Sequence, residues 1–442
     1  MNPFFVLSST RIKLIAAIVA VVLVIFLVLY FGMRNIGGDP KVTLTVWGVF
    51  DNKEAFDALK KEYRNIKPNV TIEYVKISGD VKSYEKDLID ALAAGTGPDI
   101  FMIQNNWLPK HQSKIVPLDP KLQTLLGFPF VTFRDAFPKV VSDDFVRDTT
   151  TIYASPLNLD TLAMYYNRDY FDRKGIAIVP STWSEFNQLV PRLREINPTT
   201  NEIFKAAAAI GGSNTSVNRA TDLIALLMMQ YGAEFTNSEG KYATFANGSD
   251  TNNYGLQGLK YYTNFAKSDY FLYTWNERLH YSIDNFAEGN TAIMFNYAYQ
   301  IPAIKQKNPF LDFRIAPMPQ VDINKPINYA SYWGLTVSRQ SRNPSVAWDF
   351  ITFATTNKKS ANAYAKETGK PPALLSLIDA NLNDQDLGVF AKQALTAKSW
   401  FQIDYSAIED IFSDIISSVL SGKLTAEVAL KKAEDMVTQL MK

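Results

Sequence analysis

Apolar runs and helical periodicities alternate along the chain after residue 42. Val42 to Trp47 is β-branched and apolar, which is typical of a buried strand. Lys53 to Lys67 follows with apolar residues at helical spacing, and the alternation continues with a strand at Val70 to Ile77 and a helix at Tyr84 to Ala94. A third apolar strand is predicted at Ile100 to Ile103. This β-α-β-α-β order predicts an α/β fold with a mainly parallel sheet covered on both faces.

Helix signals continue through the rest of the chain. The segment Thr182 to Glu185 reads as a capping box that opens a helix, which Pro191 should bend. Further helices are predicted at Ser345 to Thr355, at Ile408 to Leu420 and at Thr425 to Met441. No internal repeat is evident, so we expect globular α/β lobes rather than a repeat array.

The N-terminal segment predicts a membrane anchor. Leu14 to Met33 contains no charged residue and would span roughly 30 Å as a helix, the thickness of a bilayer core. The run is longer than the apolar part of a cleavable signal peptide, so we expect a retained transmembrane signal anchor. Arg11 and Lys13 precede it, which places residues 1–13 in the cytoplasm. Residues 34–41 then form a linker, and the remaining chain lies on the extracytoplasmic face of the cell membrane.

Composition excludes several classes of function. The 442 residues include 45 basic and 44 acidic side chains, so the chain lacks the charge of a nucleic-acid-binding protein. It has no cysteine and two histidines, which rules out thiolate chemistry and a multi-histidine metal site. Neither histidine lies near a serine-nucleophile turn. We therefore expect no metal, no cofactor and no enzymatic activity.

Ligand contacts are expected where parallel strands end. The first strand is followed by Asp51 and Asn52, and the third by Asn106 and Trp107. Amide, carboxylate and aromatic groups suit a sugar, which presents hydroxyl groups and flat C–H patches. Two structural interpretations stay open, because Asp51 and Asn52 are also favoured helix caps and Trp107 could be core packing.

Five segments resemble one protein family. The chain is similar to bacterial extracellular solute-binding proteins of the maltose-binding type, the substrate-capture subunits of ABC importers. The matching segments, in chain order, are AAGTGPDIFMIQNNW (Ala93 to Trp107), YASPLNLDTLAMYYNRDYFDRKGI (Tyr153 to Ile176) with PSTWSEF (Pro180 to Phe186), FAEGNTAIMFNYAY (Phe286 to Tyr299), YWGLTVSRQSRNPSVAWDFITF (Tyr332 to Phe353) and SGKLTAEVAL (Ser421 to Leu430).

The resemblance implies a periplasmic-binding-protein type II fold, in which two α/β lobes are joined by a three-segment hinge and enclose the ligand. The N-terminal lobe would comprise residues 42–155 and 316–368, and the C-terminal lobe residues 156–315 and 369–442. The hinge crossings would lie at Tyr153 to Leu159, Phe313 to Pro319 and Thr368 to Pro372.

The resemblance also implies a set of ligand contacts. Position by position they are Asp51, Asn52, Asn106, Trp107, Asp160, Ser213, Asn214, Tyr299, Tyr332 and Trp333. Tyr299 stands where the family has a sugar-stacking aromatic ring, although Tyr299 and Trp333 could equally be core residues. The loop at Ser213 could be a plain turn. The chain departs from the maltose-binding pattern at Asn106 and Trp107, and Glu409 and Asp410 replace an aromatic pair, so maltose itself is not implied.

The resemblance implies an extracytoplasmic monomer that captures a carbohydrate and delivers it to permease subunits in the same membrane. Two alternatives are an anchored domain that senses its ligand, and a binder of a cationic solute such as a polyamine held by Asp51, Asp160, Glu409 and Asp410. A third is a glycosidase that uses Asp51 and Asp160 as its carboxylate pair.

Overall fold

The computed structural model describes residues 19–26, 40–77, 80–248 and 252–442. Its strands are β1 (Val42–Gly48), β2 (Val70–Lys76), β3 (Ile100–Gln104), β4 (Val146–Arg147), β5 (Thr151–Ile152), β6 (Ser155–Pro156), β7 (Asp160–Thr161), β8 (Ala163–Asn167), β9 (Glu195–Ile196), β10 (Ile203–Ala208), β11 (Thr291–Asn296), β12 (Phe313–Ala316), β13 (Asn328–Ser331), β14 (Trp333–Val337) and β15 (Ala397–Lys398).

Helices cover most of the remaining described chain. After the helical residues 19–26, the α-helices are Lys53–Ile66, Val81–Ala94, Leu108–His111, Pro120–Leu126, Phe130–Ala136, Lys139–Phe145, Arg168–Arg173, Trp183–Leu193, Ala220–Tyr231, Tyr254–Asn264, Ser282–Ala287, Ile301–Lys307, Pro344–Thr356, Lys358–Thr368, Leu375–Asn381, Gly388–Ala394, Tyr405–Leu420 and Ala426–Leu440.

The first five-stranded sheet has the order β2-β1-β3-β14-β6. Strand β1 runs parallel to both β2 and β3, with Val46 opposite Ile100 in the β1–β3 pair. Strand β14 returns from much later in the chain and runs antiparallel to β3 and β6. The predicted β-α-β-α-β start is confirmed, and the late antiparallel strand makes the sheet mixed.

Both faces of the first sheet are buried. All five residues of β3 are buried, as continuous apolar sequence in a central strand requires. Helix Lys53–Ile66 packs Phe56, Leu59 and Tyr63 inward. Trp348 in helix Pro344–Thr356 is fully buried and donates its indole N–H to the carbonyl oxygen of Val116 at 2.8 Å. These contacts make one core around the sheet.

A second five-stranded sheet has the order β12-β8-β11-β10-β9 and its own core. Strands β10 and β11 are parallel, whereas β8 is antiparallel to both of its neighbours. Helix Ala220–Tyr231 is buried on all sides from Ala220 to Met229, and most of these residues are apolar. The fold therefore has two α/β lobes, each built around one sheet.

A small third sheet, with the order β15-β13-β7, lies where the chain passes between the two larger sheets. The first passage runs from β6 to β7, and a later one runs from β12 through β13 to β14. The segment Thr368 to Pro372 lies beside the first passage, because the Leu159 N–H donates to the carbonyl oxygen of Pro371 at 3.0 Å. The core of the first lobe also contains Leu377 and Ile378, which lie beyond that segment. The predicted lobe limits remain a prediction.

Several predicted helix boundaries are confirmed. The Thr182 hydroxyl accepts a hydrogen bond from the Glu185 N–H, and the Glu185 side chain accepts one from the Thr182 N–H. This capping box opens helix Trp183–Leu193, which contains Pro191 and ends two residues later. The three later helices form within a few residues of their predicted limits.

The predicted membrane anchor, Leu14 to Met33, lies mainly outside the described residues. Of this segment the structure describes residues 19–26, which are helical and exposed. Within the described parts of the chain, no helix combines the length and the apolar character needed to cross a membrane.

We expect Trp348→Ala to lower the free energy of unfolding by about 3–5 kcal/mol, because it leaves a cavity in a dry core. It also leaves the Val116 carbonyl without its donor. Urea unfolding followed by circular dichroism would measure the change. The matched control is Val428→Ala at a side chain that is 54% exposed, and an equal loss in both variants would contradict the packing argument.

Candidate functional site

A cavity of about 370 Å³ lies between the two lobes. Strand ends from the first sheet reach it through Phe50 and Gln104, and the second lobe reaches it through Arg219 and Tyr299. The complete set of residues that line it is Phe50, Val81, Gln104, Asn158, Asp160, Arg219, Tyr299, Ser331, Trp333, Lys370 and Tyr405. Three of the predicted contacts, Asp160, Tyr299 and Trp333, are therefore in its wall.

Aromatic rings form two sides of the cavity. Trp333 packs edge-on against Phe50 and Trp107, with ring centroids 5.5 and 5.0 Å away. Tyr299 lies on the other lobe, stacks on the ring of Tyr297 at 5.9 Å and is 39% exposed. A flat ligand surface can contact both sides.

Asp160 is the carboxylate of the cavity wall, and its oxygens are held by the backbone. Oδ1 accepts the N–H groups of Thr161 and Ala298 at 2.9 and 3.0 Å, and Oδ2 accepts that of Tyr299 at 3.3 Å. Burial raises the pKa of Asp160 to about 7, although these N–H groups and the Lys370 charge oppose the rise. Three bonds leave one acceptor direction of this carboxylate for a ligand hydroxyl.

Two cations also line the cavity, and neither was among the ligand contacts predicted from the sequence. Lys370 Nζ lies 2.5 Å from Asp51 Oδ1, and Tyr364 donates its hydroxyl to Asp51 Oδ2 at 2.8 Å. The structure thus places Asp51 behind Lys370, 5% exposed and outside the cavity wall. Arg219 reaches the cavity from the second lobe and donates to the Tyr299 hydroxyl.

The amides predicted as contacts lie beside the cavity rather than in its wall. Asn52 is exposed and accepts a hydrogen bond from Lys76 Nζ at 2.9 Å. Asn52 is also the N-cap position of helix Lys53–Ile66, but its side chain makes no capping bond. Asn106 donates to Gln402 Oε1 at 3.1 Å and lines a second cavity of about 570 Å³, which also includes Trp400 and Phe401.

Trp107 and Tyr332 are packing residues in this structure. Trp107 is 3% exposed and lies between the rings of Tyr84, His111 and Trp333. Tyr332 is 1% exposed, and its hydroxyl donates to Asp144 Oδ2 at 2.6 Å. Trp107 packs against the ring of Trp333, and the ring of Trp333 faces the cavity. Trp107 therefore supports the cavity wall from behind.

The loop at Ser213 and Asn214 is also outside the cavity wall. The Ser213 hydroxyl bonds to Thr215 at 2.8 Å, and Asn214 bonds to the Thr221 hydroxyl at 3.1 Å. These bonds stabilise the approach to helix Ala220–Tyr231, whose N-cap residue is Arg219. The loop positions Arg219, which is the residue that enters the cavity.

Some of the cavity residues that were not predicted still carried a detectable signal in the sequence. Phe50 and Gln104 lie in the strand-end segments already singled out, and Lys370 lies in a predicted hinge crossing. Arg219 carried none, because only the packing of a distant helix end brings it to the site. Of the four carboxylates considered for a cationic solute, Asp160 alone is in the wall.

The fold and its cleft define a two-lobed solute-binding protein. The family model for bacterial extracellular solute-binding proteins matches residues 48–361, which is more than half of the chain. The chain therefore belongs to this family, as the sequence resemblance predicted, and it is a binding protein rather than an enzyme.

Individual relatives agree with this assignment. A binding protein of Brucella abortus (strain 2308) is 23% identical over 88% of this chain and 90% of its own length. The maltotriose-binding protein of Pyrococcus abyssi is 23% identical over 76% of this chain and 66% of its own length. The solved structure of the sugar-binding protein MalE from Xanthomonas citri superposes with a TM-score of 0.73 at 18% identity, covering 90% of this chain and 97% of that one.

Asp160 should make stability depend on pH. The folded protein binds the proton more tightly than the unfolded chain, because the pKa is raised from 3.8 to about 7. The protonated carboxyl stabilises the fold fully below about pH 4, and this contribution of about 4 kcal/mol is lost as the pH rises through 7. Asp144 and Asp222, with pKa values raised by burial to about 6, add slopes of the same sign.

Urea unfolding between pH 4.5 and 8 should therefore show a shallower fall in stability for Asp160→Asn than for the wild type. The control Asp410→Asn changes an exposed carboxylate and should keep the wild-type slope. Parallel curves for the wild type and Asp160→Asn would show that Asp160 is ionised in the fold throughout this range.

Proposed function

We propose that the protein captures a saccharide in the cavity between its lobes. The observation that carries this proposal is the wall itself, where the rings of Tyr299 and Trp333 accompany amides and a carboxylate. Gln104 adds an acceptor, because this residue lines the cavity and its buried Oε1 atom has no hydrogen-bond partner among the described residues. A sugar hydroxyl would supply the missing donor, and a buried acceptor otherwise costs about 1–3 kcal/mol.

The names of the relatives support a saccharide over other solutes. The Pyrococcus abyssi relative is described as binding maltotriose, and the Xanthomonas citri structure as a sugar-binding protein. In this chain the direct contacts are proposed to be Asp160, Tyr299 and Trp333. Asp51, Trp107 and Tyr332 would act through the residues that they hold in place.

The ligand would be delivered to the permease subunits of an ABC importer, the partner of this family. Closure would bring the lobes together around the ligand, with the segments between the sheets acting as the hinge. Lys110 Nζ already contacts Asp404 Oδ2 at 2.7 Å, and Asn106 contacts Gln402. These bonds join the first lobe to the start of helix Tyr405–Leu420, and they would help to hold a closed form.

We also propose that Leu14 to Met33 anchors the protein beside its permease. The support is the sequence itself, 20 residues without a charge. An anchor raises the local concentration of the binding protein next to the permease, so weak docking is sufficient for uptake.

Saccharides should raise the thermal stability of the purified protein. A ligand at a hundredfold excess over its Kd adds about 2.7 kcal/mol to the free energy of unfolding. A thermal-shift screen of disaccharides and oligosaccharides, with polyamines as the contrasting class, tests the proposal. Tyr299→Ala should weaken the binding of any saccharide hit by about 1–3 kcal/mol, as the loss of an aromatic anchor does at interfaces.

The control for that variant is Phe310→Ala, which removes an aromatic ring that is 94% exposed and outside the cavity. It should leave binding unchanged. Stabilisation by polyamines alone, or equal binding by Tyr299→Ala and the wild type, would contradict saccharide capture at this cavity.

The anchor has its own test. A shortened chain that begins at Pro40 keeps β1 complete, so it should bind ligand as tightly as the full chain yet support little uptake in cells. The full chain should stay in the membrane fraction after an alkaline carbonate wash. Its appearance in the wash, or a mature N-terminus beyond Met33, would show that the segment is not a retained anchor.

A further inference from the structure

Arg219 occupies a backbone conformation that its side chain type rarely adopts. Its φ and ψ angles are 63° and 26°, in the left-handed region, at the N-cap of helix Ala220–Tyr231. A residue other than glycine in this region carries strain of about 1–3 kcal/mol, and such strain is concentrated at ligand sites. Here it accompanies a guanidinium group in the cavity wall.

The guanidinium is held rigidly by tyrosines. Nε and Nη2 donate to the Tyr299 hydroxyl at 2.9 and 2.5 Å, and Nη1 donates to the Tyr405 hydroxyl at 3.2 Å. The group also lies over the rings of Tyr297 and Tyr299, 5.5 and 5.6 Å from their centroids. A guanidinium has five N–H groups, so one N–H remains on each terminal nitrogen. That pair is the fork that binds a planar carboxylate.

The charge of Arg219 is only partly compensated. Among the described residues, Asp222 is the carboxylate within 4.0 Å of it, at 4.0 Å from Nη1. That Asp222 oxygen already accepts the Tyr297 hydroxyl at 2.9 Å. A guanidinium that is preorganised but lacks a close ion pair is suited to an anionic ligand group.

The rest of the wall adds to this preference. Its charged side chains are Arg219, Lys370 and Asp160. Asp160 is already bonded to three backbone N–H groups. The carboxylates paired with the cations, Asp51 and Asp222, lie outside the wall. A ligand in the cavity therefore meets the two cations directly, whereas the compensating carboxylates are one layer further away.

We propose that the ligand is an acidic saccharide, one that contains a hexuronate. This inference rests on the proposed function, because it specifies the class of saccharide for the same cavity. The ligand carboxylate pairs with the open fork of Arg219, and Lys370 adds a second positive charge. The sugar ring lies against Tyr299 and Trp333, and a hydroxyl donates to Gln104 Oε1.

The test compares matched ligands. Isothermal titration of the wild type uses uronate disaccharides of the galacturonate and glucuronate types, their methyl esters, and neutral disaccharides. Each acid should bind at least about tenfold more tightly than its own methyl ester, because a charge-assisted pair is lost on esterification. Affinity for the acid should fall as salt is raised from 50 to 300 mM, whereas affinity for a neutral sugar should not.

The variant Arg219→Asn removes the charge but keeps a residue that tolerates the left-handed conformation. It should reduce the preference for acid over ester to less than about twofold. Arg342→Asn makes the same change at an exposed site outside the cavity and should keep the preference. Circular dichroism melts would verify that both variants are folded.

The outcomes separate the two proposals. Neutral disaccharides that bind as tightly as the acids, or a preference that survives in Arg219→Asn, would overturn the acidic specificity and leave saccharide capture standing. Failure of every saccharide, acidic or neutral, to bind would overturn the proposed function together with this inference.

Discussion

A buried charge must be paired, and the Asp51–Lys370 pair meets this requirement beside the cleft. Asp51 is 5% exposed at the end of β1, and its carboxylate is neutralised by Lys370 Nζ and bonded by the Tyr364 hydroxyl. Removing one partner of such a pair would leave an uncompensated charge in a dry environment. The pair therefore ties the end of the first strand to the segment that follows helix Lys358–Thr368. That tie fixes the first-lobe wall of the cavity.

The second wall of the cavity also contains a buried carboxylate, which is stabilised in a different way. Asp160 is buried without a cation in direct contact; backbone N–H groups of three residues bond its oxygens, and burial still raises its pKa to about 7. Two of these groups belong to Ala298 and Tyr299, which begin the turn after β11. The carboxylate thus sets the position of Tyr299, and Tyr299 in turn holds Arg219 through its hydroxyl. One buried carboxylate orients both an aromatic surface and a cation.

Local sequence signals were sufficient for the elements between Val42 and Gln104 but not for the site. The strand and helix pattern from Val42 to Gln104 followed from hydrophobic periodicity, because each element buries a face that its own sequence defines. Sequence could not predict that β14 would insert beside β3, since that pairing joins residues more than two hundred positions apart. For the same reason the sequence could not decide which strand-end residues face the cavity and which pack in the core. Trp107 faces the core, and the neighbouring ring of Trp333 faces the cavity.

Arg219 shows why the ligand class could not be predicted from the amino-acid composition. The strand-end segments offer amide, carboxylate and aromatic groups and no basic residue, which indicated a sugar but not the charge of that sugar. The cations come instead from the N-cap of helix Ala220–Tyr231 and from the segment that follows helix Lys358–Thr368. The carboxylates that pair with these cations, Asp51 and Asp222, lie one layer behind the cavity wall. Electrostatic attraction falls with distance, so this order of layers is the physical basis of the proposed preference for a ligand carboxylate at a site whose formal charges nearly cancel.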